Sequence, residues 1–200
     1  MPTVQLRNLA ARDRILRGVR EFFWSRDFLE VETPIVLAYP SQEPYLEPLR
    51  TTVHDERNRA YDGFLIMSPE FSLKKLVAAG AKRCFEIAHV FRDGEPFGPT
   101  HNPEFTMLEW YRTRADYRTL MTDCEALFND ILPLPKKGER EGVARMLRYQ
   151  GQIIDCATPW ERLTMRQAWA RYAKLNLDNL LTRSAMAKAC RAKGYTVHAS

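Results

Sequence analysis

Two alternating runs constrain this chain more than anything else in it. From Cys84 to Arg92 the residues Phe85, Ile87, His89 and Phe91 share one side of an extended strand, and Cys84, Glu86, Ala88, Val90 and Arg92 share the other. From Glu104 to Arg112 a second run sets Phe105, Met107, Glu109 and Tyr111 on one side. The polar stretch 93–102 separates them, so the pair predicts an antiparallel hairpin. Its connection is unusual: one strand ends on Arg92, and the chain returns through His101-Asn102-Pro103-Glu104-Phe105. A simple turn requires none of that charge.

The flanking sequence supplies helices to cover such a sheet. Asn8 is placed to cap a helix in which Ile15, Leu16, Val19, Phe22 and Phe23 recur on one face, with Arg12, Arg14, Arg17 and Arg20 largely outside it and Gly18 weakening it. Phe28-Leu-Glu-Val-Glu-Thr-Pro34 reads as a short strand halted by proline, which cannot donate to a ladder. Residues 38–62 read as an irregular excursion. Gly63–Met67 is a buried-strand candidate that runs into Ser68-Pro69-Glu70, with Ser68 as cap and Pro69 as first residue of a helix ending near Gly80. Asp116 caps an amphipathic helix carrying Leu120, Met121, Cys124, Leu127, Phe128 and Ile131, closed by Pro133 and Pro135. A charged loop, Lys136–Gly142, precedes a hairpin candidate from Met146 to Ile154. Thr164-x-x-Gln167 forms a capping box, and Thr182 or Ser184 opens a last helix that ends at Gly194.

Alternating runs followed by helices predict an α+β fold, and 200 residues with 45% hydrophobic content suit one core and one domain. No run approaches the roughly 18 apolar residues of a membrane helix, and Met1–Arg7 lacks the apolar core of a signal peptide. The expectation is a cytoplasmic protein without a membrane partner. Cys84, Cys124, Cys156 and Cys190 form no Cys-x-x-Cys pair, so they read as reduced, mostly buried residues rather than metal ligands. A net charge of +5 favours anionic partners such as nucleotide phosphates, RNA or an acidic protein.

The hairpin residues have a chemistry in common. The Arg92 guanidinium is a permanent cation whose fork grips phosphate oxygens. Asp93, Glu95, His101 and Asn102 add carboxylates and donors suited to an adenine amine and a ribose. Phe105, which alone would read as core packing, offers a flat face for a base. Glu109 falls among apolar neighbours, where an unpartnered carboxylate is costly, so either a cationic substrate or a structural arginine should meet it. Glu70 lies in the first turn of its helix, where a carboxylate also complements the helix dipole.

These residues carry a resemblance. Phe91-Arg92 with His101-Asn102-Pro103-Glu104-Phe105-Thr106-Met107-Leu108-Glu109-Trp110-Tyr111 resembles motif 2 of class II aminoacyl-tRNA synthetases of the lysyl, aspartyl and asparaginyl branch. Phe28–Pro34 and its preceding helix resemble motif 1, and Ser68–Lys75 resembles the substrate-binding turn and helix between the motifs. Within the branch the likeness is greatest to the elongation factor P lysine ligases. The resemblance implies a class II antiparallel sheet flanked by helices, with motif 1 at about 11–34 and motif 2 at about 84–112 of one synthetase-like catalytic domain, residues 1–200.

It also implies ATP and Mg²⁺, activation of lysine or (R)-β-lysine as an adenylate, and transfer to a lysine of elongation factor P. Arg92 would act on the α-phosphate as the catalytic charge stabiliser. Glu95, His101, Asn102 and Phe105 would bind ATP with it, and Ser68, Glu70 and Tyr111 would line the amino-acid pocket. No residue is assigned to a metal. Pro34 at the end of the motif 1 strand implies a homodimer. The motif 1 helix begins within about ten residues of Met1, with no anticodon-binding barrel ahead of it, which disfavours tRNA as the acceptor. Two features depart from the family pattern. Gly94 occupies the usual motif 2 glutamate position, which moves that role to Glu95, and no Gly-rich motif 3 with its arginine occurs before Ser200.

Overall fold

A computed structural model describes residues 6–96, 98, 101–132 and 146–197, which divide into two compact units, Met1–Cys156 and Ala157–Ser200. The first opens with helix α1, Leu6–Trp24, which begins ahead of Asn8, so that residue lies within the helix rather than capping it. Strand β1, Leu29–Glu30, is short and pairs parallel with β5, Arg83–Phe91. The predicted antiparallel hairpin joins β5 to β6, Glu104–Arg112, in a register that sets Val90 opposite Phe105, Glu86 opposite Glu109 and Cys84 opposite Tyr111. The order β1-β5-β6 makes β6 a sheet edge.

The sheet has two unlike faces. Phe85, Ile87, Leu108 and Trp110 face a core formed with Val19, Phe22, Phe23 and Phe28 from the N-terminal segment, and with Leu127 and Ile131 of helix α3, Tyr117–Ile131. At its centre the ring of Phe23 stacks on Phe85 at 4.7 Å and meets Phe22 and Phe28 edge-on at 5.0 and 5.1 Å. Gly18 lies where α1 approaches α3: a Cβ there would stand 3.4 Å from the Ile131 Cγ2. The opposite face carries a smaller cluster of Ile66, Ala88 and Val90 with Leu37, Phe105 and Met107. Asp116 caps α3 by accepting from the Arg118 and Thr119 amides. Pro133, Pro135 and the loop 136–142 lie outside the described residues.

Residues 38–62 contain a hairpin rather than an irregular excursion: β3, Arg50–His54, pairs antiparallel with β4, Ala60–Leu65, and β2, Val36–Leu37, joins β4 on its other side. Most of β3 and the start of β4 are exposed, so they carry no inside-outside alternation for a sequence reading to detect. The turn is set by Asp55, whose carboxylate accepts from the Arg57 and Arg59 amides while Asn58 adopts a left-handed φ of +58°. Helix α2, Glu70–Ala78, has Pro69 at its N-cap, one position later than expected, and Ser68 Oγ still accepts from the Glu70 amide at 3.0 Å. Strands β7, Met146–Tyr149, and β8, Gln152–Asp155, form the expected hairpin through Gln150 and Gly151, both at positive φ.

In the second unit, Thr164 and Gln167 make the reciprocal capping box of α4, Met165–Ala168, which continues as a π-helical turn over Trp169–Ala173. A 3₁₀ turn, Leu177–Leu180, leads to α5, Arg183–Ala192, capped by Thr182. None of the four cysteines forms a disulfide among the described residues; Cys84 is fully buried and the others are half-buried. No described helix is long and apolar enough to cross a membrane.

Candidate active site

The face of β5 and β6 away from α1 and α3 holds the chemistry that the sequence singled out. Because Val90 is opposite Phe105, Arg92 and Phe105 emerge on the same side. The Arg92 amide donates to the Pro103 carbonyl at 2.9 Å, which continues the ladder by one step and holds the arginine at the mouth of the hairpin. Its guanidinium lies 5.2 Å from the centre of the Phe105 ring, a cation–π contact. Arg92 Nε is buried and has no hydrogen-bond partner among the described residues. A buried donor left unpaired costs about 1–3 kcal/mol, so this nitrogen is primed for an acceptor that the described residues do not supply.

The cavity here has a volume of about 310 Å³ and is lined by Arg92, Glu95, His101, Asn102 and Phe105. Five residues identified from sequence as one group thus line one space. Asn102 is oriented by its side-chain amide, which donates to the Glu104 carbonyl at 2.6 Å. Asp93 is outside this lining: its amide donates to the Glu47 carbonyl at 2.8 Å, and its carboxylate accepts from the Gly94 amide at 2.9 Å.

Ser68, Glu70 and Tyr111 assemble farther along the same face, around Glu109. The Tyr111 hydroxyl donates to Glu109 Oε1 at 2.7 Å, and the Ser68 hydroxyl donates to Oε2 at 3.1 Å while accepting from the Glu70 amide. Glu109 is therefore met by two hydroxyls rather than by a structural arginine. Burial, reinforced by the Glu109 carboxylate, raises the Tyr111 phenol well above its usual range, so the phenol remains a donor at physiological pH. Glu70 pairs with the Lys74 ammonium one helical turn on. Glu109 is four positions beyond Phe105, roughly 13 Å along a strand. A second cavity, about 340 Å³, runs beside β6 and includes Glu109 and Tyr111 in its lining.

Sequence reasoning missed Glu86. This carboxylate is only 4% exposed and lies opposite Glu109 across the hairpin. Both its oxygens accept from Thr33, one from the backbone amide and one from the hydroxyl, each at 2.9 Å. The contact extends the short β1–β5 pairing to the residue before Pro34. An acid in the otherwise apolar series Cys84, Ala88 and Val90 was the available signal.

A family model for class II tRNA synthetases of the D, K and N group matches residues 2–195. The chain belongs to that family. Among relatives of this synthetase domain, a lysine–tRNA ligase of Magnetococcus marinus is 38% identical over 175 residues, covering 86% of this chain and 32% of the relative. An elongation factor P–(R)-beta-lysine ligase of Pasteurella multocida is 40% identical over 134 residues, covering 66% of this chain and 41% of the relative. A protein of the same description from Actinobacillus succinogenes is 41% identical over 132 residues. The chain thus spans between about a third and two fifths of the length of these relatives.

Proposed function

We propose that this chain carries ATP-binding and amino-acid-binding residues of a lysine-activating site, acting in an enzyme that forms an adenylate of lysine or (R)-β-lysine and transfers the aminoacyl group to a lysine of elongation factor P with release of AMP. One observation carries the reading. The cavity lined by Arg92, Glu95, His101, Asn102 and Phe105 shares a sheet face with the carboxylate of Glu109, which the Ser68 and Tyr111 hydroxyls hold. Anion-binding and cation-binding ends on one rigid hairpin suit a substrate pair of nucleotide and amino acid.

In this reading Phe105 stacks on adenine, and Asn102, His101 and Glu95 hold its polar edge and the ribose. The Arg92 guanidinium, with its unpaired Nε, holds the α-phosphate oxygens as the lysine carboxylate oxygen attacks phosphorus and pyrophosphate leaves. Fixed positive charge at the point where negative charge develops is commonly a large catalytic term. Ser68 and Tyr111 orient Glu109, and Glu70, which already pairs with one ammonium at Lys74, helps receive the substrate's. Mg²⁺ would offset phosphate charge. Among the described residues no three His, Cys, Asp or Glu side chains converge to hold an ion.

The family model runs through both compact units, which supports one catalytic domain over residues 1–200. Leu29, Ile35 and Val36 expose apolar surface beside Pro34, which supports a homodimer through the motif 1 region. A cytoplasmic location is part of the proposal. A second reading, the catalytic core of a lysyl-tRNA synthetase, is favoured by the wider cover of the lysine–tRNA ligase relative. ATP–pyrophosphate exchange with α-lysine and with (R)-β-lysine tests activation, and absence of exchange with both defeats the proposal for this chain. Transfer of label to elongation factor P supports the first acceptor, and transfer to tRNA alone supports the second.

A further inference from the structure

Two carboxylates face one another on the site side of the hairpin. Glu86 stands directly opposite Glu109 in the β5–β6 register, which sets their Cβ atoms about 4.5–5.5 Å apart on one face. Like charges in that arrangement destabilise a sheet. Among the described residues no cation stands between them, because every hydrogen-bond partner of the pair is a neutral donor. Glu86 accepts from the amide and hydroxyl of Thr33, and Glu109 accepts from the hydroxyls of Ser68 and Tyr111. Lys74, which belongs to the same neighbourhood, is already paired with Glu70. Arg92 shares the face of β5 with Glu86 but is six positions away, roughly 20 Å along the strand. The hairpin therefore keeps a like-charged pair that a bound cation would relieve.

The two acids differ in what they can reach. Glu109 is half-buried and lines the 340 Å³ cavity beside β6 together with Tyr111. Glu86 is 4% exposed, and Thr33 occupies both its oxygens, each at 2.9 Å. It is held too deep to touch a ligand and too firmly to swing away from Glu109. What it can still exert is its field, and a buried charge is screened by salt much less than an exposed one. In a half-buried pocket a unit charge roughly 7 Å from an ammonium changes its affinity by about fivefold or more. A neutral side chain in the same place gains nothing.

We propose that Glu86 is a positioning residue for cation recognition: fixed by Thr33, it supplies a second negative charge behind Glu109 and makes the pocket select a cationic side chain over a neutral one of equal length. The inference rests on the lysine-activating reading. Two opposed substitutions separate charge from scaffolding. Glu86→Gln removes the charge and keeps hydrogen bonding to Thr33, whereas Glu86→Asp keeps the charge and draws it back from Thr33 by one methylene. Calorimetric titration of the whole chain with lysine and with ATP gives two affinities, and competition against lysine gives that of norleucine, which has the same carbon chain without the terminal ammonium. Glu86→Gln should weaken lysine about fivefold or more and change norleucine and ATP less than about twofold. Glu86→Asp should hold lysine within about threefold of wild type. The proposal is overturned if Glu86→Gln binds lysine as wild type does, if it loses lysine, norleucine and ATP together, or if Glu86→Asp is the more damaging variant for lysine, since each would leave Glu86 only a strut between Thr33 and the hairpin. Should Glu86→Asp fail to fold in urea denaturation, the three affinities of Glu86→Gln decide alone. A wild-type chain that binds no lysine removes the lysine-activating reading and this role with it, whereas wild-type binding that Glu86→Gln preserves removes the role of Glu86 alone.

Discussion

Replacing Thr33 by valine isolates the contact that ties the segment after β1 to the β5–β6 hairpin. Valine keeps the shape and β-branching of threonine, so strand preference and packing change little. The backbone amide still donates to Glu86 Oε1, but the 2.9 Å hydroxyl bond to Oε2 is lost. Glu86 is 4% exposed, so water cannot readily replace that donor. A hydrogen bond to a charged group contributes about 1.5–3 kcal/mol, and the expected loss is therefore about 2 kcal/mol. For a chain of this size that lowers the unfolding temperature by roughly 4–8 °C. Glu86→Gln should cost less, because the amide oxygen keeps one acceptor and its NH₂ can donate to the Thr33 hydroxyl. Urea denaturation measures the loss, and amide exchange across β5 localises it. A Thr33→Val change below about 0.5 kcal/mol would show that the hydroxyl does not hold Glu86 and that the β1–β5 junction is maintained by the ladder alone.

Arg92→Ala should reduce adenylate formation about a hundredfold or more in pyrophosphate exchange, and near-normal exchange would remove Arg92 from the reaction. Tyr111→Phe tests the raised phenol: a group whose pKa is higher folded than unfolded contributes its stability below about pH 10 and loses it as pH rises. The stability gap between wild type and Tyr111→Phe should therefore narrow from pH 9 to pH 11, and a constant gap would contradict the phenol's burial against Glu109. Gly18→Ala should raise stability by about 0.5–1 kcal/mol, since alanine favours the helix interior and its methyl would meet Ile131 at contact distance. A loss of stability would mean that α1 and α3 cannot yield even slightly.

The legible parts of this protein were those with local periodicity or local bonding. The β5–β6 hairpin followed from alternation that continues over nine residues in each strand. The Asp116, Thr164 and Thr182 caps followed from side chains bonding within three residues of themselves. The register was needed before Arg92 and Phe105 could be placed on one face, yet it follows once the turn is located. The β3–β4 hairpin escaped notice because exposed strands have no apolar alternation, and only the Asp55 turn marked it.

The sequence by itself determined the two strands, the helix faces and the grouping of Arg92 with His101, Asn102 and Phe105, because each depends on neighbours in the chain. Only the tertiary structure decided who meets the half-buried Glu109 and the buried Glu86. Glu109 is held by a hydroxyl 41 residues away and Glu86 by a threonine 53 residues away, and no local pattern encodes such pairings. Burial makes an unpaired carboxylate expensive, so a partner was required; which side chain fills that role depends on how β1, the turn before α2 and the hairpin pack together.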